Sequence, residues 1–178
     1  PYIDQVLEAF NITKLYADGY EADDVIGTLA KKAEKEGFIT YMMTPDKDFA
    51  QLVSENIFLY KPGNKWKPTE IWGVNEVLAK FEITDVSQVI DFLGMMGDAV
   101  DNIPGLPGVG EKTAKKYLAE FGTMENLLAN TDKLKGKIKE KIEENKDKGI
   151  LSKRLATIIL DAPVELVEND LKVQKFNP

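Results

Sequence analysis

The sequence predicts an α/β protein in which part of a parallel sheet is followed by an all-helical region. Three observations predict it. Residues 38–43 and 57–60 are nearly unbroken apolar runs of strand length, amphipathic helical spacing precedes and separates them, and after residue 86 only helix-spaced apolar positions and glycine stops remain. A continuous apolar run suits a strand covered on both faces, as in a parallel sheet flanked by helices.

In chain order, Ile3, Val6, Leu7 and Phe10 recur at helical spacing and predict a short amphipathic helix ending near Asn11. A brief strand over 14–16 follows. Residues 24–36 predict a second helix, with Val25, Ile26, Leu29, Ala30 and Ala33 on one face, lysines near its end and Gly37 as its stop. The run 38–43 is the first buried strand. Thr44-Pro45-Asp46 breaks it and starts a short helix through Leu52, and 57–60 makes a second strand, completing a βαβ pattern. Lys61-Pro62-Gly63-Asn64 is a turn, and the lysines around Trp66 form an exposed connection. Helices are predicted over 74–81, 86–96, 111–121 with Gly122 as the stop, 123–128, after Leu134, and 150–160. The tail from Asp161 has Pro163 and little periodicity. Residues 1–68 are thus assigned to the α/β part, 69–162 to the helical region and 163–178 to a linker.

With 178 residues, 43% of them hydrophobic, the chain can bury one core, or one core plus a small satellite. No apolar run approaches the length of a membrane span, so a soluble cytoplasmic protein without a membrane partner is the expectation. Cysteine and histidine are both absent, which excludes a disulfide frame, a zinc finger and every nucleophilic triad or base that uses imidazole. Any metal must be held through oxygen. That points to Mg²⁺ or Mn²⁺, and to Ca²⁺ less, because the Asp-x-Asp-x-Asp-Gly loop of calcium hands is missing.

The net charge of −7 argues against a nucleic-acid partner until its distribution is read. Residues 1–101 hold 9 basic and 18 acidic side chains, residues 102–160 hold 12 and 8, and residues 161–178 hold 2 and 4, giving −9, +4 and −2. Arg154 is the sole arginine among the 23 basic residues, so lysines would meet phosphates as point charges and contact would follow backbone and shape rather than base sequence.

Three acidic groupings sit at element ends: Glu21, Asp23 and Asp24 at a helix start, Asp46 and Asp48 just after a strand, and Asp98 and Asp101 ahead of a glycine-rich turn. Each grouping alone is satisfied by a helix or turn cap. Together, seven carboxylates near one crevice repel, each pair at about 4 Å costing roughly 1–4 kcal/mol in surface-like dielectric. Two divalent ions held by such acids are an arrangement that serves phosphodiester cleavage without a histidine base.

Residues 97–118 join acid to base. Asp98 and Asp101 precede Gly105 and Pro107-Gly108-Val109-Gly110, which opens a helix carrying Lys112, Thr113, Lys115 and Lys116. Glycines let a phosphate approach the backbone, and a helix N-terminus offers N–H groups to it, so Leu106 to Gly110, with Ala114 four residues on, is a helix-hairpin-helix pattern. A P-loop is excluded because Glu111 separates glycine from Lys112-Thr113 and the preceding segment is proline-rich. An ordinary helix–helix turn is the competing reading. The lysine run from 133 to 148 reads as a solvated helix face with at most a weak phosphate contact.

With these residues in view, Glu-Ala-Asp-Asp at 21–24, Thr-Pro-Asp-Lys-Asp at 44–48 and the stretch 97–114 resemble the 5′ nuclease (5′-3′ exonuclease) domain family of bacterial DNA polymerase I, relatives of the flap endonucleases. The resemblance covers nearly the whole chain. It implies a PIN-like nuclease core followed by a helix-three-turn-helix region, acting on 5′ flaps and nicked duplex with Mg²⁺ or Mn²⁺. It carries Glu21, Asp23, Asp24, Asp46, Asp48, Asp98 and Asp101 over as catalytic ligands of a two-ion site. The backbone around Gly108 and Gly110 matches the family's duplex-gripping hairpin, which in relatives also holds a potassium ion, and Gly105, Val109, Lys112, Thr113, Lys115 and Lys116 around it are the further DNA-binding candidates.

The family's opening strand, with its metal-binding Asp, and its cationic arch have no counterpart ahead of Pro1. The expectation is therefore a nuclease domain lacking its N-terminal part, with weak metal binding, little cleavage on its own, and an exposed apolar sheet edge open to that missing segment or to a second copy. The alternative is a non-catalytic DNA-binding helix-hairpin-helix module; a third reading is an unrelated α/β protein with acidic caps.

Overall fold

The computed structural model describes residues 2–175, which fold as two compact units, one of residues 2–38 with 159–175 and one of residues 39–158. In the first unit, helix α1 (Tyr2–Ala9) is followed by an irregular segment and helix α2 (Ala22–Lys35). Residues 14–16 do not form the expected strand. Their side chains are exposed and no described strand pairs with them, and an extended segment without a ladder partner stays irregular. Val25 of α2 packs with Ala162 and Val164, and the buried Thr28 hydroxyl accepts the Ala162 N–H at 3.1 Å. The helix α9 (Glu168–Leu171) lies near the end of this unit's chain.

The second unit holds a three-stranded sheet in the order β1 (Thr40–Met43), β2 (Ile57–Lys61), β3 (Glu70–Trp72). β1 and β2 are parallel, with Thr40 opposite Ile57 and Met43 opposite Tyr60, joined through a 3₁₀ helix (Asp48–Leu52). β3 returns antiparallel, with Leu59 opposite Trp72, where the sequence suggested only an exposed connection. Gly63 makes that return possible: a Cβ there would lie 2.6 Å from the Thr69 nitrogen. The expectation that β1 is covered on both faces is also corrected. Met42 is 4% exposed, but Tyr41 and Met43 are 55% and 71% exposed, so only one face of this edge strand is buried.

Helices α3 (Val74–Phe81), α4 (Gln88–Met96), α5 (Glu111–Phe121), α6 (Met124–Ala129), α7 (Lys137–Glu144) and α8 (Lys146–Ala156) complete this unit. α4, the most apolar of them by sequence, is buried along most of its length, with Phe92 edge-on to Phe81 at 5.0 Å. α8 begins four residues earlier than the spacing predicts. Gly149, one residue ahead of the predicted start, lies inside the helix, where a Cβ would sit 2.6 Å from Leu106 Cδ2. Gly94 of α4 plays the matching part against α8, with Lys153 Cα 2.7 Å from its would-be Cβ.

Alanine is the better helix former, so Gly94→Ala would stabilise an isolated helix by roughly 1 kcal/mol. Here overpacking dominates, and the variant should lose about 1–3 kcal/mol and melt at a lower temperature; a raised melting temperature would contradict the close α4–α8 approach.

Candidate metal centre and nucleic-acid interface

The end of β1 builds one wall of the site. The Asp46 N–H donates to Thr44 Oγ1 at 3.1 Å and the Asp48 N–H donates to Asp46 Oδ1 at 2.9 Å, a local wrap that only short side chains at these positions can make. It places Asp48 at the head of the 3₁₀ helix, beyond the carboxyl end of a parallel strand, where α/β folds bind ligands. The other wall is the loop after α4. Paired backbone bonds close it, Asp98 N–H to Ile103 O at 2.9 Å and Ile103 N–H to Asp98 O at 2.7 Å, with Asn102 turning the corner at φ 56°.

Asp48, Asp98 and Asp101 each bring one carboxylate oxygen to within 4.8 Å of the others. Asp48 Oδ1 is buried and has no hydrogen-bond partner. Burial, and then the negative charges of Asp46, Asp98 and Asp101 against the opposing pull of Lys47, push the Asp48 carboxyl up to about 6. Asp98 is held below the usual carboxylate range by the Lys47 ammonium, 2.9 Å away, and by the Val100 N–H. Burial works against the charge on Lys47, but Asp98, Asp48 and Asp46 outweigh it and raise the lysine. A cavity of about 580 Å³ opens beside this pair, lined by Lys47, Gly97, Asp98, Asn102 and Ile103 among others. An orphaned buried carboxylate oxygen among further acids is the donor set a hard divalent cation takes, so the residues fit Mg²⁺ or an ion like it.

The turn lies directly along the chain from this loop. Gly105 (φ 64°) and Gly97 (φ 73°) touch backbone to backbone: a Cβ on Gly105 would lie 2.6 Å from Met96 O, and one on Gly97 2.5 Å from Ile103 O. Leu106 and Val109 point into the core, leaving Gly108 and Gly110 exposed at the turn. Gly110 caps α5, accepting the Thr113 and Ala114 N–H groups at 3.0 and 2.9 Å. Lys112 and Lys116, one helical turn apart, are exposed and carry no ion pair among the described residues. Lys115 differs. It is held by Glu82 and Glu111, each at 3.0 Å.

Of the seven acids singled out by sequence, Asp46, Asp48, Asp98 and Asp101 belong to the unit of residues 39–158 and are brought together there. Glu21, Asp23 and Asp24 belong to the other unit. In it, Asp24 is buried and both its oxygens accept backbone N–H groups, from Ile159 at 2.8 Å and from Glu21 at 3.2 Å. Sequence reasoning missed Lys47, although it stands between two of the acids it had marked. It also missed the α8 residues behind the loop, for which no local signal exists.

Residues 84–178 match the family model described as 5′-3′ exonuclease, C-terminal SAM fold, and residues 1–82 match 5′-3′ exonuclease, N-terminal resolvase-like domain. The chain belongs to the 5′-3′ exonuclease family. It is 45% identical over 178 residues to DNA polymerase I of Bacillus subtilis (strain 168), covering 99% of this chain and 20% of that protein. It is 38% identical to the 5′-3′ exonuclease of Aquifex aeolicus (strain VF5), covering 98% and 58%. The chain thus spans a minor part of the polymerase and little more than half of the exonuclease. Among solved structures, a flap endonuclease of bacteriophage T5, in a pseudo-enzyme–product complex with DNA and metal ions, superposes with a TM-score of 0.66 at 21% identity, over 78% of this chain and 50% of that one. At that identity the likeness bears on fold, and it matches the α/β-then-helical architecture expected from sequence.

Asp48→Asn should separate the electrostatic account from a purely structural one. Because the folded pKa is raised from 3.8 to about 6, ionised Asp48 destabilises the metal-free fold fully above pH 6, and not at all below pH 3.8, where folded and unfolded chains are both protonated. The variant should therefore melt higher than the parent at pH 7.5 without metal, by a margin that closes as pH falls toward 4. A margin independent of pH would refute the assignment.

Proposed function

We propose that this chain is the metal-and-hairpin part of a structure-specific 5′ nuclease, taking part in hydrolysis of phosphodiester bonds at 5′ flaps and nicks during DNA replication and repair. The observation that carries the reading is the unpartnered buried oxygen of Asp48 set against Asp98 and Asp101. In this reading those three acids hold Mg²⁺ or Mn²⁺. When bound, such an ion polarises a phosphate oxygen and provides a nucleophile at neutral pH.

The chain's own residues do the rest. Asp46 fixes the Asp48 backbone through its hydrogen bond, so the carboxylate is aimed before any ion arrives. Asp48 must release its proton to solvent before it ligates, so ion uptake should weaken as pH falls below about 6. Lys47 keeps Asp98 ionised and in place. The exposed backbone at Gly108 and Gly110 seats a DNA strand, with a potassium ion there as part of the same reading, while Lys112 and Lys116 neutralise phosphates without reading bases. Asp24 has the capping role its hydrogen bonds describe, and Glu21 and Asp23 stay as acidic candidates.

A DNA-binding module without catalysis is the second reading, favoured by the +4 balance of residues 102–160. Calorimetric titration with Mn²⁺ separates the two. The double variant Asp98→Asn with Asp101→Asn should lose divalent uptake while keeping duplex affinity at low salt within about threefold, since phosphate contacts by lysine dominate that term. Parent protein that takes up no Mn²⁺, or a double variant that takes up as much as the parent, would leave only the binding module. In a separate measurement, duplex affinity should fall steeply with salt, and Lys112→Ala should lower the slope of log K against log salt by about 1. An unchanged slope would remove Lys112 from the interface.

A further inference from the structure

α8 (Lys146–Ala156) meets the chain between the acidic loop and the turn, at Gly105 and Leu106. It carries three features that share one purpose. Gly149 lets Leu106 lie directly on the helix backbone. Lys153 crosses Gly94 of α4 and ends in ion pairs with Asp91 at 2.5 Å and Glu125 at 2.8 Å, while Asp91 Oδ1 also accepts the Met124 N–H at 2.9 Å. Between them, Ser152 has no exposed surface, and its hydroxyl is bonded in both directions: it donates to Lys148 O at 2.6 Å and accepts the Gly105 N–H at 2.9 Å.

A buried helical serine often bonds back to the carbonyl four residues earlier, which satisfies its proton and nothing more. Here the free lone pair meets a backbone N–H from another segment, and the position of that N–H gives the contact its meaning. Gly105 lies four residues after Asp101 and three before Gly108. On one side of it the chain is tied to Asp98 through Ile103, and on the other Leu106 N–H bonds Met95 O at 2.9 Å. Its left-handed φ and its close contact with Met96 and Gly97 mean that Gly105 does not move by itself, so any displacement there carries both flanking segments with it.

We propose that Ser152 is a positioning residue that, through the Gly105 N–H, holds the Asp98–Asp101 loop and the Gly108 turn in one fixed register, so that the carboxylates and the strand-seating backbone address the same stretch of sugar–phosphate chain. The proposal rests on the reading of those two segments as metal loop and DNA-gripping turn. Without the hydroxyl, the Gly105 N–H is a buried donor with no acceptor, and the segment must shift to solvate it. A shift at Gly105 moves both flanking segments at once, and this sets a positioning role apart from a merely stabilising one.

The test compares Ser152→Ala with Val77→Ala, a truncation of a buried residue in α3, outside both segments along the chain, which serves as a stability control. Amide hydrogen exchange and binding of Mn²⁺ and of a short DNA duplex are measured well below the melting temperatures. Ser152→Ala should speed exchange at Gly105, and at Ile103 and Leu106 with it, by roughly tenfold, the order expected for one unsatisfied buried N–H. Mn²⁺ and duplex affinities should fall together, about three- to tenfold. Val77→Ala should destabilise the protein and change none of these. Faster exchange confined to Gly105, loss of one affinity without the other, or the same pattern in Val77→Ala would overturn the proposal. If the parent bound neither Mn²⁺ nor duplex, the functional reading would fail by itself, and coupled exchange across residues 103–106 would still decide whether Ser152 ties the two segments.

Discussion

Two lengths of backbone meet at Gly97 and Gly105 with no space between them for a single methyl group. Everything in the site depends on that meeting. It closes the loop carrying Asp98 and Asp101, fixes where the chain leaves it, and so sets the distance along the chain from the acids to the turn at Gly108. The same economy of side chains recurs behind it, where Gly94 brings α4 into near backbone contact with α8 and Gly149 lets the Leu106 side chain rest on the α8 backbone. Close approach of this kind trades conformational freedom for positional precision, since glycine loses most entropy on folding and then leaves its neighbours nowhere to relax.

Charge works against this geometry unless something is added. Asp46, Asp48 and Asp98 surround the Lys47 ammonium, Asp101 adds its charge at Asp48, and the fold answers by raising the carboxyl of the least solvated member while leaving one of its oxygens without a partner. Native folds rarely leave a buried polar atom unmet, and such atoms concentrate where a ligand completes them. The excess of acids in residues 1–101 and of bases in residues 102–160 meets at this point in the chain, so a cation and a polyanion would be drawn to adjacent surfaces of one unit.

Much of the secondary structure was legible because its signals are local. The spacing of apolar residues located α3 and α5 to the residue, and Gly122 marked where α5 stops. The three acidic groupings were legible as candidates because each stands at an element end, but that residues 46–48 and 98–101 share one unit while 21–24 belong to the other was not. The failures were not local. β3 is only three residues long and exists because Gly63 lets the chain fold back on β2. The early start of α8 was not legible because Leu106, which packs on Gly149 in its first turns, is 43 positions away. Lys115 stood in the same helical run as Lys112 and Lys116, yet Glu82 at the end of α3 claims it.

The sequence by itself determined the chemistry available to this protein. Without cysteine or histidine it excluded disulfides, zinc fingers and imidazole bases, and its clustered acids and downstream bases suited an oxygen-ligated hard metal and backbone-directed contact with phosphate. Tertiary structure decided which of those groups act together. Asp48 became the strained member of a trio while Asp24, of the same residue type and equally marked by sequence, spent both oxygens on backbone amides. The reason is physical: a side chain's identity sets what it can bind, but its pKa, partners and reach are properties of its surroundings, and those come from residues tens of positions distant.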